Sequence, residues 1–176
     1  VAILVGQGAA GAAAEVVELA ERLGAGVAAS LLGKPVLDEG LPFHTGVMGH
    51  LGTTASAHLM RECDTLLLIG TNDPWTEFYP APGQARAVQI DLDGRRLGIR
   101  YPVEVPLLGD AAETLRALLD RVPVRDDDRW RRRVKEWTDR WHAIAAERAG
   151  AAAEPINPQH VVRELSDRMP ADAQVS

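Results

Sequence analysis

The chain has 176 residues, a net charge of −6, 46% hydrophobic residues, 25% charged residues and 5% aromatics. That length holds one α/β domain of ordinary size with a buried core; the hydrophobic share excludes disorder, and the acidic balance argues against a dedicated nucleic-acid binder. A single cysteine, Cys63, excludes an internal disulfide and a multi-cysteine metal site, and no apolar run reaches the roughly 18 residues of a membrane span, so a cytoplasmic protein in a reducing compartment is expected.

In chain order, residues 1–5 (VAILV) are a continuous apolar run, as expected of a strand buried on both faces. A turn at Gly6-Gln7-Gly8 follows. Residues 9–23 are Ala-rich, with Val16, Leu19, Ala20 and Leu23 on one helical face, and Gly24 is a C-terminal stop. Residues 26–30 read as a second strand. Residues 31–51, broken by Pro35, Pro42 and several glycines, read mainly as loop. Residues 53–62 form a helix, with Ala55, Leu59 and Cys63 at helical spacing. Residues 65–69 (TLLLI) are the clearest strand, and 70–82 form another loop. Strands follow at 85–91 and 103–108, and Asp110 caps a helix running to about Arg121. Five strands alternate in this way with helices. The fold class is therefore α/β, a Rossmann-like, doubly wound and mostly parallel sheet with helices on both faces.

The character changes after Pro123. Asp126, Asp127 and Asp128 suit the start of a long helix, where acidic groups favour the dipole. Trp130, Val134, Trp137, Trp141 and Ile144 recur at steps of four and three, an apolar stripe docked on the sheet domain or on a partner. Residues 149–154 read as a flexible link. Asn157-Pro158 is a cap with proline at the first helical position, opening a helix with Val161, Val162, Leu165 and Met169 on one face. The first residues already belong to a strand, and Ala173-Gln174-Val175-Ser176 reads as a strand beginning; a piece of a longer polypeptide is expected.

Several segments offer binding chemistry. Gly6-x-Gly8-x-x-Gly11 lies between a strand and a helix, as in the dinucleotide fingerprint, in which glycines let a phosphate approach the helix N-terminus. The acidic residue that should hold the ribose is absent from the second strand's tip, Ser30-Leu31-Leu32, so a purely structural tight turn stays open. A second glycine-rich loop, Gly46 to Thr54, opens a helix and reads equally as connector or as ligand loop. Thr71, Asn72, Asp73, Pro74 and Trp75 follow the strongest strand, where open α/β sheets bind ligands. Asp91 ends the next strand, placed to accept ribose hydroxyls. Asp110 reads as a helix cap, a ligand contact or both. His44 and His50 share a loop without a third ligand, so no metal site is expected. Cys63 reads as a buried apolar residue, and Arg131-Arg132-Arg133 as a solvated helix face. No nucleophile–base motif occurs.

In their order, VAILVGQGA, GKPVLDEGLPFHTGVMGHLGT, CDTLLLIGTNDPW, AVQIDLDGRRLG and PLLGDAAETL resemble the central domain of thiamine-diphosphate-dependent enzymes of the pyruvate oxidase and acetolactate synthase group. TNDPWTEFYP is most similar to pyruvate oxidases and quinone-linked pyruvate dehydrogenases, and the Phe-Asp-Asp-Arg run of acetolactate synthases is missing. The resemblance implies a six-stranded parallel sheet that holds FAD in many members, and ADP or nothing in others. It divides the chain into a central nucleotide-binding-type domain (1–122), a helical linker (123–154) and the start of a C-terminal thiamine-diphosphate-binding domain (155–176).

Carried over by motif, the implied cofactor contacts are Gly6 and Gly8, then Met48, Gly49, His50 and Leu51, then Thr71 to Trp75, then Asp91, and finally Asp110 with Ala111. Glycine-loop amides would meet the diphosphate and flavin side, and Asp91 the adenosine ribose. One departure is Gly94, where the family has proline. Thiamine diphosphate and magnesium belong to amino- and carboxyl-terminal domains of the parent, whose motifs are absent here, so this chain carries no catalytic residues and no metal ligands. The implied parent oxidises pyruvate or a related 2-oxo acid as a homotetramer or dimer, cytoplasmic, or membrane-peripheral if quinone-linked. The alternative is a structural or ADP-binding central domain of a non-redox decarboxylase or carboligase.

Overall fold

The computed structural model describes residues 1–170, 172 and 173. Of the strand expected at the carboxyl end, residues 174–176 lie outside the described ones. The chain divides into two units, Val1–Thr138 and Asp139–Ser176.

The first unit is built on β1 (Ala2–Val5), β2 (Gly26–Ala29), β3 (His44–Val47), β4 (Thr65–Ile69), β5 (Arg86–Asp91) and β6 (Val105–Leu108). They form one sheet of six strands in the order β3-β2-β1-β4-β5-β6, with every neighbouring pair parallel. α1 (Ala13–Leu23) crosses from β1 to β2 and α2 (Thr54–Glu62) from β3 to β4, and α3 (Ala111–Leu119) follows β6. The strand pleat sends alternate residues to opposite faces. Ile3, Val5, Val27, Leu67, Ile69 and Ile90 meet α1 and α3 in one core. Ala2, Leu4, Ala28, Leu66, Leu68 and Ala87 meet α2 in the other. Both faces are covered, which is why the inner strands are apolar throughout and not alternating.

The tryptophan stripe lies on α4 (Arg129–Gly150). Its portion in the first unit docks on the second core: Val134 is fully buried there with Trp130 and Trp137 beside it, and Trp130 Nε1 donates to the Val1 carbonyl at 2.8 Å. The division between the units falls inside this helix. In the second unit, α4 continues to Gly150 and α5 (Pro158–Ser166) follows. Asn157 accepts from the Gln159 amide as the α5 cap and donates through Nδ2 to the carbonyls of Arg148 (2.7 Å) and Ala151 (3.0 Å).

Three local readings change. The segment 31–51, expected as loop, contains a 3₁₀ turn over Leu31–Val36 and the edge strand β3. The sequence hides β3 because His-Thr-Gly-Val lacks apolar periodicity; its stability comes from outside, with the Thr45 hydroxyl donating to the Val27 carbonyl at 2.9 Å and the strand pairing with β2 through a register shift. Second, the helix expected from residue 9 begins as 3₁₀ over Gln7–Ala12 and becomes α only at Ala13. Third, the link expected from residue 149 starts two residues later in the chain, since α4 includes Gly150. Among the described residues no helix is long and apolar enough to cross a membrane.

Candidate functional site

The strand order reverses between β1 and β4, because the chain leaves β1 toward β2 on one side and returns to β4 on the other. Ligands of open α/β sheets bind at such a switch point, beyond the carboxyl ends of the strands. Here those ends open into a cleft of about 620 Å³. Gln7 and Gly8 line it after β1, and Ser30, Leu31 and Leu32 after β2. Gly70 to Trp75 line it after β4, Ile90 to Asp93 with Arg96 after β5, and Gly109 with Ala111 after β6.

The β1 and β4 turns lock onto one another. The Gly6 amide donates to the Ile69 carbonyl and the Gly8 amide to the Gly70 carbonyl, both at 2.9 Å, and the Ala9 amide donates to the Gly6 carbonyl at 3.0 Å. A Cβ on Gly6 would lie 2.3 Å from the Gly70 carbonyl oxygen, and Gly70 itself has φ +57°. Glycine is therefore required here for backbone contact and for a left-handed turn. The amides of Gly6 and Gly8, expected to face a diphosphate, are already bonded.

The loop after β4 carries the polar groups. Asp73 is 6% exposed, and its Oδ1 accepts the Trp75 amide at 3.0 Å. Burial pushes its carboxyl above the ordinary range, against the opposing pull of the Trp75 amide and the Arg100 charge. The Tyr79 hydroxyl donates to the Asp73 carbonyl at 3.2 Å, and burial pushes that phenol up as well. Asn72 Oδ1 is buried with no hydrogen-bond partner, although buried carbonyl oxygens are almost always paired. An acceptor left in this condition at a cleft wall suits a donor from a ligand.

At the end of β5, Asp91 Oδ1 accepts the Asp93 amide at 2.9 Å. Asp93 caps a short turn, and a bidentate pair with the Arg95 guanidinium at 3.0 and 2.8 Å holds its carboxyl down to about 2. Gln89 couples the two sides of the cleft floor. It is 2% exposed, and its Nε2 donates to the carbonyls of Thr71 and Arg96 at 3.3 Å while its Oε1 accepts the Gly98 amide at 2.8 Å.

The cleft thus brings together Gly8, Thr71, Asn72, Asp73, Pro74, Trp75, Asp91 and Ala111 of the expected contacts. Gly6 sits behind the lining. Asp110 caps α3, its Oδ1 accepting the Glu113 amide at 3.0 Å. Met48 is buried in the second core, and Leu51 is 78% exposed. Gly49 lies beneath Trp75, where a Cβ would come 3.1 Å from the indole Cδ1. His50 meets Trp75 and Phe78 edge-on, each at 4.9 Å between centroids, and its Nε2 lies 2.9 Å from Glu77 Oε1. This segment supports the indole and does not itself line the cleft.

Sequence reasoning missed Gln7, Ser30, Leu31, Leu32, Leu92, Asp93 and Arg96. Leu31, Leu32 and Leu92 are 49%, 69% and 70% exposed. Large apolar residues directly beyond a strand's carboxyl end were the available signal. No signal marked Arg96 among so many arginines. His44 and Cys63 lie elsewhere. Burial lowers the His44 pKa and pushes the Cys63 thiol up to about 11, the condition of an inert core thiol.

The fold and cleft define a class, a doubly wound α/β domain with a cleft at its switch point. The family model described as "Thiamine pyrophosphate enzyme, central domain" matches residues 1–118, and the chain belongs to that family. It is 32% identical to the Bacillus subtilis protein YdaP, described as thiamine pyrophosphate-containing, over 99% of this chain and 30% of that protein. It is 26% identical to a pyruvate oxidase of Lactiplantibacillus plantarum, over 97% of this chain and 28% of the relative. A solved structure described as a thiamin diphosphate-dependent enzyme from Mycobacterium smegmatis superimposes with a TM-score of 0.57 at 25% identity, covering 72% of this chain and 25% of the other. Further relatives bear the names acetolactate synthase and 2-ketoarginine decarboxylase. The chain spans 30 to 32% of the length of the first curated relatives it matches.

Proposed function

We propose that this chain is the FAD-holding central domain of an enzyme that uses thiamine diphosphate and magnesium, bound by flanking amino- and carboxyl-terminal domains, to decarboxylate pyruvate or a related 2-oxo acid oxidatively. The observation that carries the reading is the buried, partnerless Asn72 Oδ1 on the wall of a switch-point cleft whose far end presents Asp91. Asn72 offers an acceptor to a donor on a flat ring system, and the indole of Trp75 a stacking face. Asp91 Oδ2 is left for ribose hydroxyls once Oδ1 has taken the Asp93 amide. Leu31, Leu32 and Leu92 shield ring surfaces from water. When bound, FAD accepts the electron pair of a two-electron oxidation. The chain's own residues bind, orient and desolvate.

A second reading rests on a specific observation. Met48, Gly49, His50 and Leu51, the segment implied for the flavin side, stand outside the cleft lining. A domain built to hold ADP alone, in a non-redox carboligase or decarboxylase, would show that pattern.

Thermal unfolding of the chain with saturating FAD, ADP or NADH separates the readings. A ligand at a hundred times its Kd adds about 2.7 kcal/mol. A larger rise in Tm with FAD than with ADP supports the flavin reading. Equal rises favour the ADP domain, and no rise with either removes both.

A further inference from the structure

The cleft has an electrostatic problem. Its charged lining consists of Asp73, Asp91, Asp93 and Arg96, so three carboxylates surround one guanidinium. A nucleotide diphosphate brings further negative charge and needs compensating donors. Among the usual donors of such folds, the amides of the first glycine turn, those of Gly6, Gly8 and Ala9 already donate to backbone carbonyls.

Resting on the nucleotide reading above, we propose that Arg96 is the phosphate-binding residue of this cleft. Its backbone is held in place, since its carbonyl accepts from Gln89 Nε2 at 3.3 Å and its amide donates to the Asp93 carbonyl at 2.9 Å. Its side chain is available, being 57% exposed and meeting Asp93 Oδ2 only at 3.8 Å. The better-placed Arg95 forms the bidentate pair with that same carboxylate at 3.0 and 2.8 Å. Arg95 therefore satisfies Asp93 and leaves the Arg96 fork for a ligand anion. Guanidinium is the group best matched to phosphate oxygens. Arg96 thereby supplies a donor fork in place of the bonded amides of Gly6, Gly8 and Ala9, and the ligand class is a nucleotide with a di- or polyphosphate.

The test uses the 176-residue chain and its Arg96→Gln variant, titrated with FAD and with ADP at low and high salt. The Arg96 side chain is exposed and its backbone bonds are kept in the variant, so the variant should keep the wild-type Tm. Loss of a charge-assisted pair should weaken both ligands by about ten- to a hundredfold, and the salt dependence of affinity should become shallower in the variant. Undiminished FAD and ADP affinity in Arg96→Gln overturns the assignment and leaves the nucleotide reading intact. Absence of binding of FAD and ADP to the wild type overturns that reading, and this assignment with it.

Discussion

The two halves of the cleft are made from different materials. On the β1–β4 side a backbone contact underlies the cleft: Gly6, Gly8 and Gly70 press together so closely that a methyl group has no room, the Gly6 and Gly8 amides donate to the Ile69 and Gly70 carbonyls, and the loop after β4 adds Asn72, Asp73 and Trp75 to the lining. On the β5–β6 side the walls are side chains: Asp91, Asp93 and Arg96 project from a strand end and a short turn. The glycine pattern that reads as a ligand motif is thus used for packing, whereas Asp91, Asp93 and Arg96 beyond β5 bring charge to the cleft. A Gly-x-Gly turn between a strand and a helix supplies closeness, and what approaches is decided by the neighbouring strand.

The largest expected effect comes from filling the glycine contact. Gly6→Ala places a Cβ 2.3 Å from the Gly70 carbonyl oxygen. Backbone must move, and the loss should be about 3 kcal/mol or more, a fall in Tm of roughly 10 °C by calorimetry. A variant as stable as wild type would mean that the two turns can separate. Next comes the side-chain half. Asp91→Ala should weaken FAD by about ten- to a hundredfold through a lost charged hydrogen bond, measured by fluorescence titration, while stability falls far less than in Gly6→Ala. Equal stability losses would erase the distinction between the halves.

Gly11 provides the control within the same motif. A Cβ there meets nothing within 4 Å, so Gly11→Ala should stabilise by about 0.5 kcal/mol, read from urea denaturation. A destabilisation would restore a ligand-type constraint to the third glycine. The smallest effect concerns Asp73, whose folded pKa burial raises. For an acid raised in the folded state, the native form holds the proton more tightly, so stability is lowered above the folded pKa and recovers as pH falls toward the ordinary value of about 3.9. Asp73→Asn keeps the acceptor for the Trp75 amide and should raise Tm slightly at neutral pH, with the gain vanishing near pH 4. A pH-independent gain would show that charge burial is not its cause.

Much was legible in the residues themselves. The runs VAILV and TLLLI announce strands covered on both faces, and they became β1 and β4 at the centre of the sheet. Gly24, Thr53, Asp110 and Asn157 act locally, through turns and caps a few residues long, and the helices end or begin beside each of them. The ordered motifs sufficed to indicate the family. These properties need only short-range sterics and the period of hydrophobicity.

Tertiary structure decided the rest. β3 exists because β2 offers it an edge, so His44-Thr45-Gly46-Val47 pairs without an apolar pattern of its own. The fate of the Gly6 and Gly8 amides depends on the Gly70 turn, distant in sequence and adjacent only once β1 and β4 are paired. The orphaned Asn72 oxygen, the coupling by Gln89 and the division of labour between Arg95 and Arg96 follow from the same assembly. Propensity and capping are decided within one or two turns of chain, whereas donor satisfaction and charge balance in a cleft depend on groups that the sheet brings together from separate strands.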